Sequence, residues 1–162
     1  MSDNVTRILT IVSALGSGLV AGIFFAFSTF IMKSLNQLAP AEGIRAMQEI
    51  NKEAPNGWFM SVLFGTAAVG AVLAVPAVRH LDDPGAGYRI AGFGLYMIGI
   101  VLTIAYHVPR NNALDAIHAD SAGAAGFWRH YVSTWTAWNH LRTLGALAAA
   151  LTYTLSLRTG WR

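Results

Sequence analysis

Four apolar segments, residues 8–32, 58–78, 90–107 and 132–157, make up more than half of this 162-residue chain. Each is near the roughly 20 residues that a helix needs to cross the hydrocarbon core of a bilayer. Charged residues are 12% of the total, against about 25% in an ordinary soluble domain. The expected fold is therefore all-α: a four-helix transmembrane bundle forming a single integral membrane domain over residues 1–162. The first apolar run is longer than the roughly 7–15 residues of a signal-peptide core. It is read as a retained membrane helix.

The sequence contains no cysteine, which removes disulfides, thiolate nucleophiles and thiolate metal sites. The formal charge of +3 is spread over the loops with no run of Lys and Arg, so nucleic acid is not an expected partner. Four spans put both termini on one side, with Arg7, Arg79, Arg89, Arg158 and Arg162. The other side holds Lys33, Arg45, Lys52, Arg110 and Arg129, a tie in basic residues. The short loop and the tail tilt the expectation toward cytoplasmic termini.

The loop at 33–57 predicts a short amphipathic helix. Pro40 suits a first helical turn, and Ile44, Met47 and Ile50 recur along one line. Asn56-Gly57 ends it, and Trp58 opens the second span at interfacial depth. Asp82-Asp83-Pro84-Gly85 reads as a turn. Pro109 predicts a helix break after the third span and biases Val108 away from helix. Residues 113–119 restart helically, and a small-residue break at 121–126 precedes the fourth helix.

Small residues predict where helices approach closely in lipid. Span one offers Gly18, Gly22 and Ala26 on one line, usable within the bundle or between copies in a homo-oligomer. Span three offers Gly92, Tyr96, Gly99, Thr103 and Tyr106, and span four Gly145 and Ala149. The hydroxyls in these lines need partners in a dry bundle.

The polar anomaly lies in the last segment. Trp128, Tyr131, Trp135, Trp138, Asn139 and Arg142 share one helical stripe. Arg142 lies about 15 Å below the start of its span, and no acidic residue lies within any span to pair with it. An intramembrane charge is costly unless it is partnered or lines a cavity. A structural, hydrogen-bonded arginine and an anion or enolate binder are the two readings. Phe27, Ser28, Thr29 and Phe30, then Gln48 and Asn51, then Tyr106, His107, Arg110, Asn111 and Asn112 converge on the same side by topology. A shared cavity is expected there. Trp135 and Trp138 are interface anchors or flat walls for an aromatic ligand. His107 is either an interfacial histidine or a base facing the cavity, and His140 lies about 100° round the helix from the stripe. His107, His118, His130 and His140 lack helical metal-ligand spacing and intramembrane carboxylates, so no metal is expected.

The chain resembles the anthrone oxygenase family of small four-helix membrane proteins. The resemblance rests on Gly22-Ile-Phe-Phe-Ala-Phe-Ser-Thr-Phe-Ile-Met32, Ala46-Met-Gln-Glu-Ile-Asn51, Val108-Pro-Arg-Asn-Asn-Ala-Leu114 and Trp135-Thr-Ala-Trp-Asn-His-Leu-Arg-Thr143, in the family's order. Lys33 stands where the pattern has proline. The resemblance implies oxidation of an anthrone, or a related polyphenolic or quinol-like aromatic, to a quinone by dioxygen without an organic cofactor. In that chemistry His107 or His140 would be the base, and Asn111, Asn139 and Arg142 the oxyanion donors. Trp135, Trp138, Tyr106, Asn51 and Phe27 would contact the substrate. The alternative is a non-enzymatic membrane protein that binds a lipid or quinone, or scaffolds a partner.

Overall fold

The computed structural model describes residues 2–159; Arg162, counted above on the basic side, lies outside the described residues. All regular structure among them is helical. Helix α1 spans Asp3–Ala26 and continues through a widened π turn, Phe27–Ile31, into α2, Met32–Leu35. Helix α3 is Pro40–Glu53 and α4 is Gly57–Arg79. Helix α5, Ala86–Leu102, runs through a second π turn, Thr103–His107, into α6, Val108–Asp115. Helix α7 is Ala124–Ser156.

Local chemistry accounts for the boundaries. Pro40 occupies the first turn of α3, where its missing N–H costs nothing. The Asn56 side chain caps α4 by accepting from the Phe59 N–H at 3.0 Å. Gly85 and Gly123 start α5 and α7 at φ 76° and 90°, backbone that favours glycine. The helix break expected at Pro109 does not occur: Val108 has helical φ −59°, ψ −50°. The preceding turn widens instead, with the Val108 N–H bonding the Thr103 carbonyl five residues back. That widening makes room where a proline ring would otherwise meet the carbonyl four residues behind it.

Three continuous helices, 3–35, 57–79 and 86–115, are long and apolar enough to cross a membrane. Helix α7, at 33 residues, equals the longest of them but is not among them, because its polar stripe dilutes its hydropathy. At about 1.5 Å per residue it extends about 50 Å, well beyond the roughly 30 Å of a hydrocarbon core. It packs along both α1 and α5, and α4 contacts the same two helices.

Two cores result. Val20, Phe24, Leu63, Leu73, Tyr96, Ile100, Ala149 and Tyr153 fill the space among the four long helices. Met32, Ile44, Met47, Leu114, Ala124, Trp128, Tyr131 and Trp135 form the second, where α3 and α6 cover the start of α7. Helix α3 thus buries the expected Ile44–Met47 face. Its other side is tied down by Gln48 Nε2, which donates to the Leu114 and Ile117 carbonyls at 3.0 and 2.9 Å. Arg45 pairs with Asp120, and Asn51 Nδ2 donates to Asp115 at 3.0 Å.

The small-residue lines divide. On α5 and α7 they make close contacts: a Cβ on Gly145 would lie 2.9 Å from the Leu95 carbonyl, and one on Gly92 would lie 3.0 Å from the Tyr153 ring. On α1 the expected line does not pack inside the protein, since a Cβ on Gly18 or Gly22 would meet no neighbouring helix within 4 Å. The inward face of α1 is Ser13, Ser17, Val20, Ala21 and Phe24 instead. Two stripe hydroxyls find carbonyls: Tyr96 donates to Leu63 at 2.9 Å and Thr103 to Gly99 at 2.7 Å. Gly145→Ala is expected to destabilise by about 1–3 kcal/mol through overpacking. Gly94→Ala, where nothing lies within 4 Å, should leave thermal unfolding unchanged or raised. Equal midpoints for the two variants would contradict this account of the α5–α7 contact.

Candidate functional site

A cavity of about 550 Å³ lies between the two cores. Phe24 and Phe27 approach from α1 and the turn after it, Met47, Ile50 and Asn51 from α3 above, and Phe59, Met60 and Leu63 from α4. Thr103, His107 and Asn111 come from the α5–α6 segment, and Trp135 and Arg142 from α7. Its size falls in the range of sites for small organic ligands, about 300–1,000 Å³, and its walls are mostly apolar.

Arg142 is buried in its wall, 6% exposed. The guanidinium carbon sits 3.7 Å from the centre of the Phe24 ring and 6.0 Å from that of Trp135. Aromatic faces attract the cation through their quadrupoles. Neither ion pair seen among the described residues, Arg45–Asp120 and Lys52–Glu49, involves it. Its Nε has no hydrogen-bond partner among the described residues. The arginine is therefore held by rings, which leave its N–H groups uncommitted.

His107 is 2% exposed and closes the π turn. Its Nδ1 lies 3.1 Å from the Leu102 carbonyl. A carbonyl only accepts, so Nδ1 carries the proton of the neutral ring and Nε2 carries a bare lone pair. Nε2 is buried without a hydrogen-bond partner. The Trp135 ring meets the imidazole edge-on at 4.9 Å. Asn111 is fixed from the other direction: its Oδ1 accepts from Tyr131 Oη and Trp135 Nε1, each at 2.9 Å. That fixes the amide orientation and keeps its N–H₂ as the donating end.

The structure sorts the sequence candidates. Arg142, His107, Asn111, Trp135, Asn51 and Phe27 all line the cavity. Asn139 is fully buried but elsewhere occupied: its Nδ2 donates to the Phe24 carbonyl at 2.7 Å and to Ser28 Oγ at 2.8 Å. It joins α7 to α1 and has no amide hydrogen left for a ligand. His140 is exposed on the outer side of α7. Trp138, also exposed, packs on Tyr106 at 5.1 Å, Arg110 lies over the same Tyr106 ring, and neither aromatic lines the cavity. Both rings were expected at the substrate; the turn of α7 carries Trp138 about 100° away from Asn139. Among the described residues no three histidine or carboxylate side chains cluster.

Phe24 and the α4 residues Phe59, Met60 and Leu63 were not singled out from sequence. Phe24 had a signal, since it stands in the Gly22–Met32 motif. The α4 wall had none, being apolar residues in an apolar span.

Helices long and apolar enough to cross a membrane surround a cavity of ligand size, the architecture of a helical membrane protein. The sequence pattern of the anthrone oxygenase family matches residues 56–152, and the chain belongs to that family. The match contains the Val108–Leu114 and Trp135–Thr143 motifs. No curated protein and no solved structure matches the chain.

Proposed function

We propose that the chain is a four-span membrane oxygenase, with α7 as the fourth span and the termini cytoplasmic. It oxidises an anthrone, or a related polyphenolic or quinol-like aromatic, to a quinone with dioxygen and no organic cofactor. The observation that carries this reading is that His107 and Arg142, whose Nε2 and Nε respectively are buried without hydrogen-bond partners, line one largely apolar cavity. Family membership supports the reaction class.

The residues have separable tasks. His107 Nε2 removes a proton from the activated methylene, leaving an enolate whose negative charge sits largely on the ring oxygen. Arg142, with the Asn111 amide as a second donor, stabilises that oxygen in a site with little water. The electron-rich anion passes one electron to dioxygen, and the resulting radical and superoxide combine at the former methylene carbon. The protonated His107 returns its proton to the peroxide oxygen, giving a hydroperoxide. His107 then takes the remaining proton on that carbon as the O–O bond breaks. Hydroxide leaves with that proton as water and the carbonyl forms. One dioxygen is consumed and one water released per anthrone. Phe27 and Trp135 hold the flat rings.

Purified protein should consume oxygen with an anthrone faster than the spontaneous rate, in one-to-one stoichiometry. His107→Gln keeps a donor for the Leu102 carbonyl but has no basic nitrogen. It is expected to lower the excess rate by about 10²–10⁴, with folding retained. An unchanged rate would remove His107 from the reaction. Binding of an anthraquinone with no excess oxygen uptake by folded protein would favour the alternative, a protein that binds a lipid or quinone without turnover.

A further inference from the structure

We infer that the cavity is filled from the hydrocarbon phase, through a lateral slot between α4 and the π turn that leads into α6. Its ligand would be a bilayer-dissolved apolar aromatic that carries one acidic oxygen. The choice of ligand rests on the reading proposed above; the slot rests on geometry.

Two helix edges face each other across the cavity. Helix α4 presents Phe59, Met60, Leu63 and Phe64, and the opposite segment Thr103, Ile104, His107, Val108 and Asn111. In each edge residues recur at intervals of one and four, the spacing of a double row along a helix. The inner row contains the buried Leu63 and His107. The outer row is open to the surroundings: Phe64 is 45% exposed, Ile104 58% and Val108 45%, yet all three also line the cavity. Helix α4 packs closely on α5 but not on the π turn or α6. The two walls therefore separate where the helix widens.

The slot lies in helices fit to cross a membrane, and its lips are wholly apolar. The other opening, at the α3–α4 junction, is lined by Glu53, Ala54, Pro55 and Asn56, all exposed. The Glu53 carboxylate there repels an acidic oxygen, and Ala54 and Pro55 offer only small apolar surfaces to a fused-ring body. Through the slot, an aromatic passes only apolar lips before it enters the cavity that Thr103, His107, Asn111 and Arg142 line.

The chain has no cysteine, so Thr103→Cys places a single thiol on the inner wall. In liposomes, N-phenylmaleimide dissolved in the bilayer should label it, and a sulfonated maleimide in water should label it far more slowly. Adding Ile104→Trp should slow labelling severalfold by narrowing access, and Ile104→Ala should speed it. Ala54→Trp, at the junction, should change neither. Slowing by Ala54→Trp with no effect of either Ile104 variant would overturn the slot, as would equally fast labelling from water. No substrate or turnover enters this measurement. A protein that labels as expected but consumes no oxygen would disprove the oxygenase reading and leave the slot standing.

Discussion

Arg142→Met is expected to remove nearly all excess oxygen uptake while leaving the protein as stable as before, or more so. Loss of a charged donor to a developing oxyanion costs about 10²–10³ in rate, and here no lysine or second arginine lines the cavity to replace it. Stability should move the other way. Holding a charge out of water costs several kcal/mol, even after relaxation. The stacking of the guanidinium on Phe24 at 3.7 Å returns about 2 kcal/mol. No ion pair with a carboxylate among the described residues adds to that. Methionine is unbranched, fills a similar volume and contacts aromatic rings favourably. The measurement is the excess oxygen-uptake rate beside the thermal midpoint of the same preparation. A variant that unfolds at much lower temperature would mean that Arg142 is a structural clamp, and the functional assignment would lose its main support. A stable variant with an undiminished rate would do the same.

The stripe on α7 was legible because its residues differ chemically from the span around them. Arg142 and Trp135 had to share a face, and a charge in an apolar span had to meet something. What it meets was not legible. The spans hold no acidic residue, and the group the guanidinium meets is the face of Phe24, one aromatic among many. The outward turn of Gly18 and Gly22 was hidden for a related reason. In a soluble bundle the apolar face of a helix is the inner one, but a helix in lipid is apolar all round. Periodicity then groups residues by face without saying which face is inside.

The π turns were hidden by a different physics. Pro109 announced that the hydrogen-bond ladder must change, but an interruption has two outcomes. The helix can end, or it can widen by one residue and continue, as it does at Thr103–His107. Local sequence does not choose between them; packing of α6 against α3 and the start of α7 holds the continued form. The widening matters for the site. It brings His107 Nδ1 to the Leu102 carbonyl, which settles the tautomer, and it parts this segment from α4. The second widened turn, Phe27–Ile31, follows the Phe24 carbonyl that Asn139 binds.

Asn139→Asp is expected to be the most destabilising of the substitutions considered, although it changes one group and almost no volume. The wild-type amide gives both hydrogens away, to the Phe24 carbonyl and to Ser28 Oγ. Ser28 lies 3.1 Å from Thr143 Oγ1, and Thr143 donates to the Asn139 carbonyl at 3.0 Å. Donor directions are then fixed: amide to Ser28, Ser28 to Thr143, Thr143 to the α7 backbone. An ionised carboxylate would place an oxygen against the Phe24 carbonyl oxygen at hydrogen-bond distance, with no proton between them. A protonated one could supply only one of the two bonds. A buried charge without a partner costs about 3–5 kcal/mol, and the thermal midpoint should fall accordingly. Asn139→Leu should be milder. It loses the same two bonds, about 1 kcal/mol each, but also removes the Asn139 Oδ1, which is buried without a partner. The order Asn > Leu > Asp in stability is thus the signature of a donor clamp. If the aspartate variant were the equal of wild type, the clamp between α7 and α1 would be refuted, and with it the reason for taking Asn139 out of the reaction.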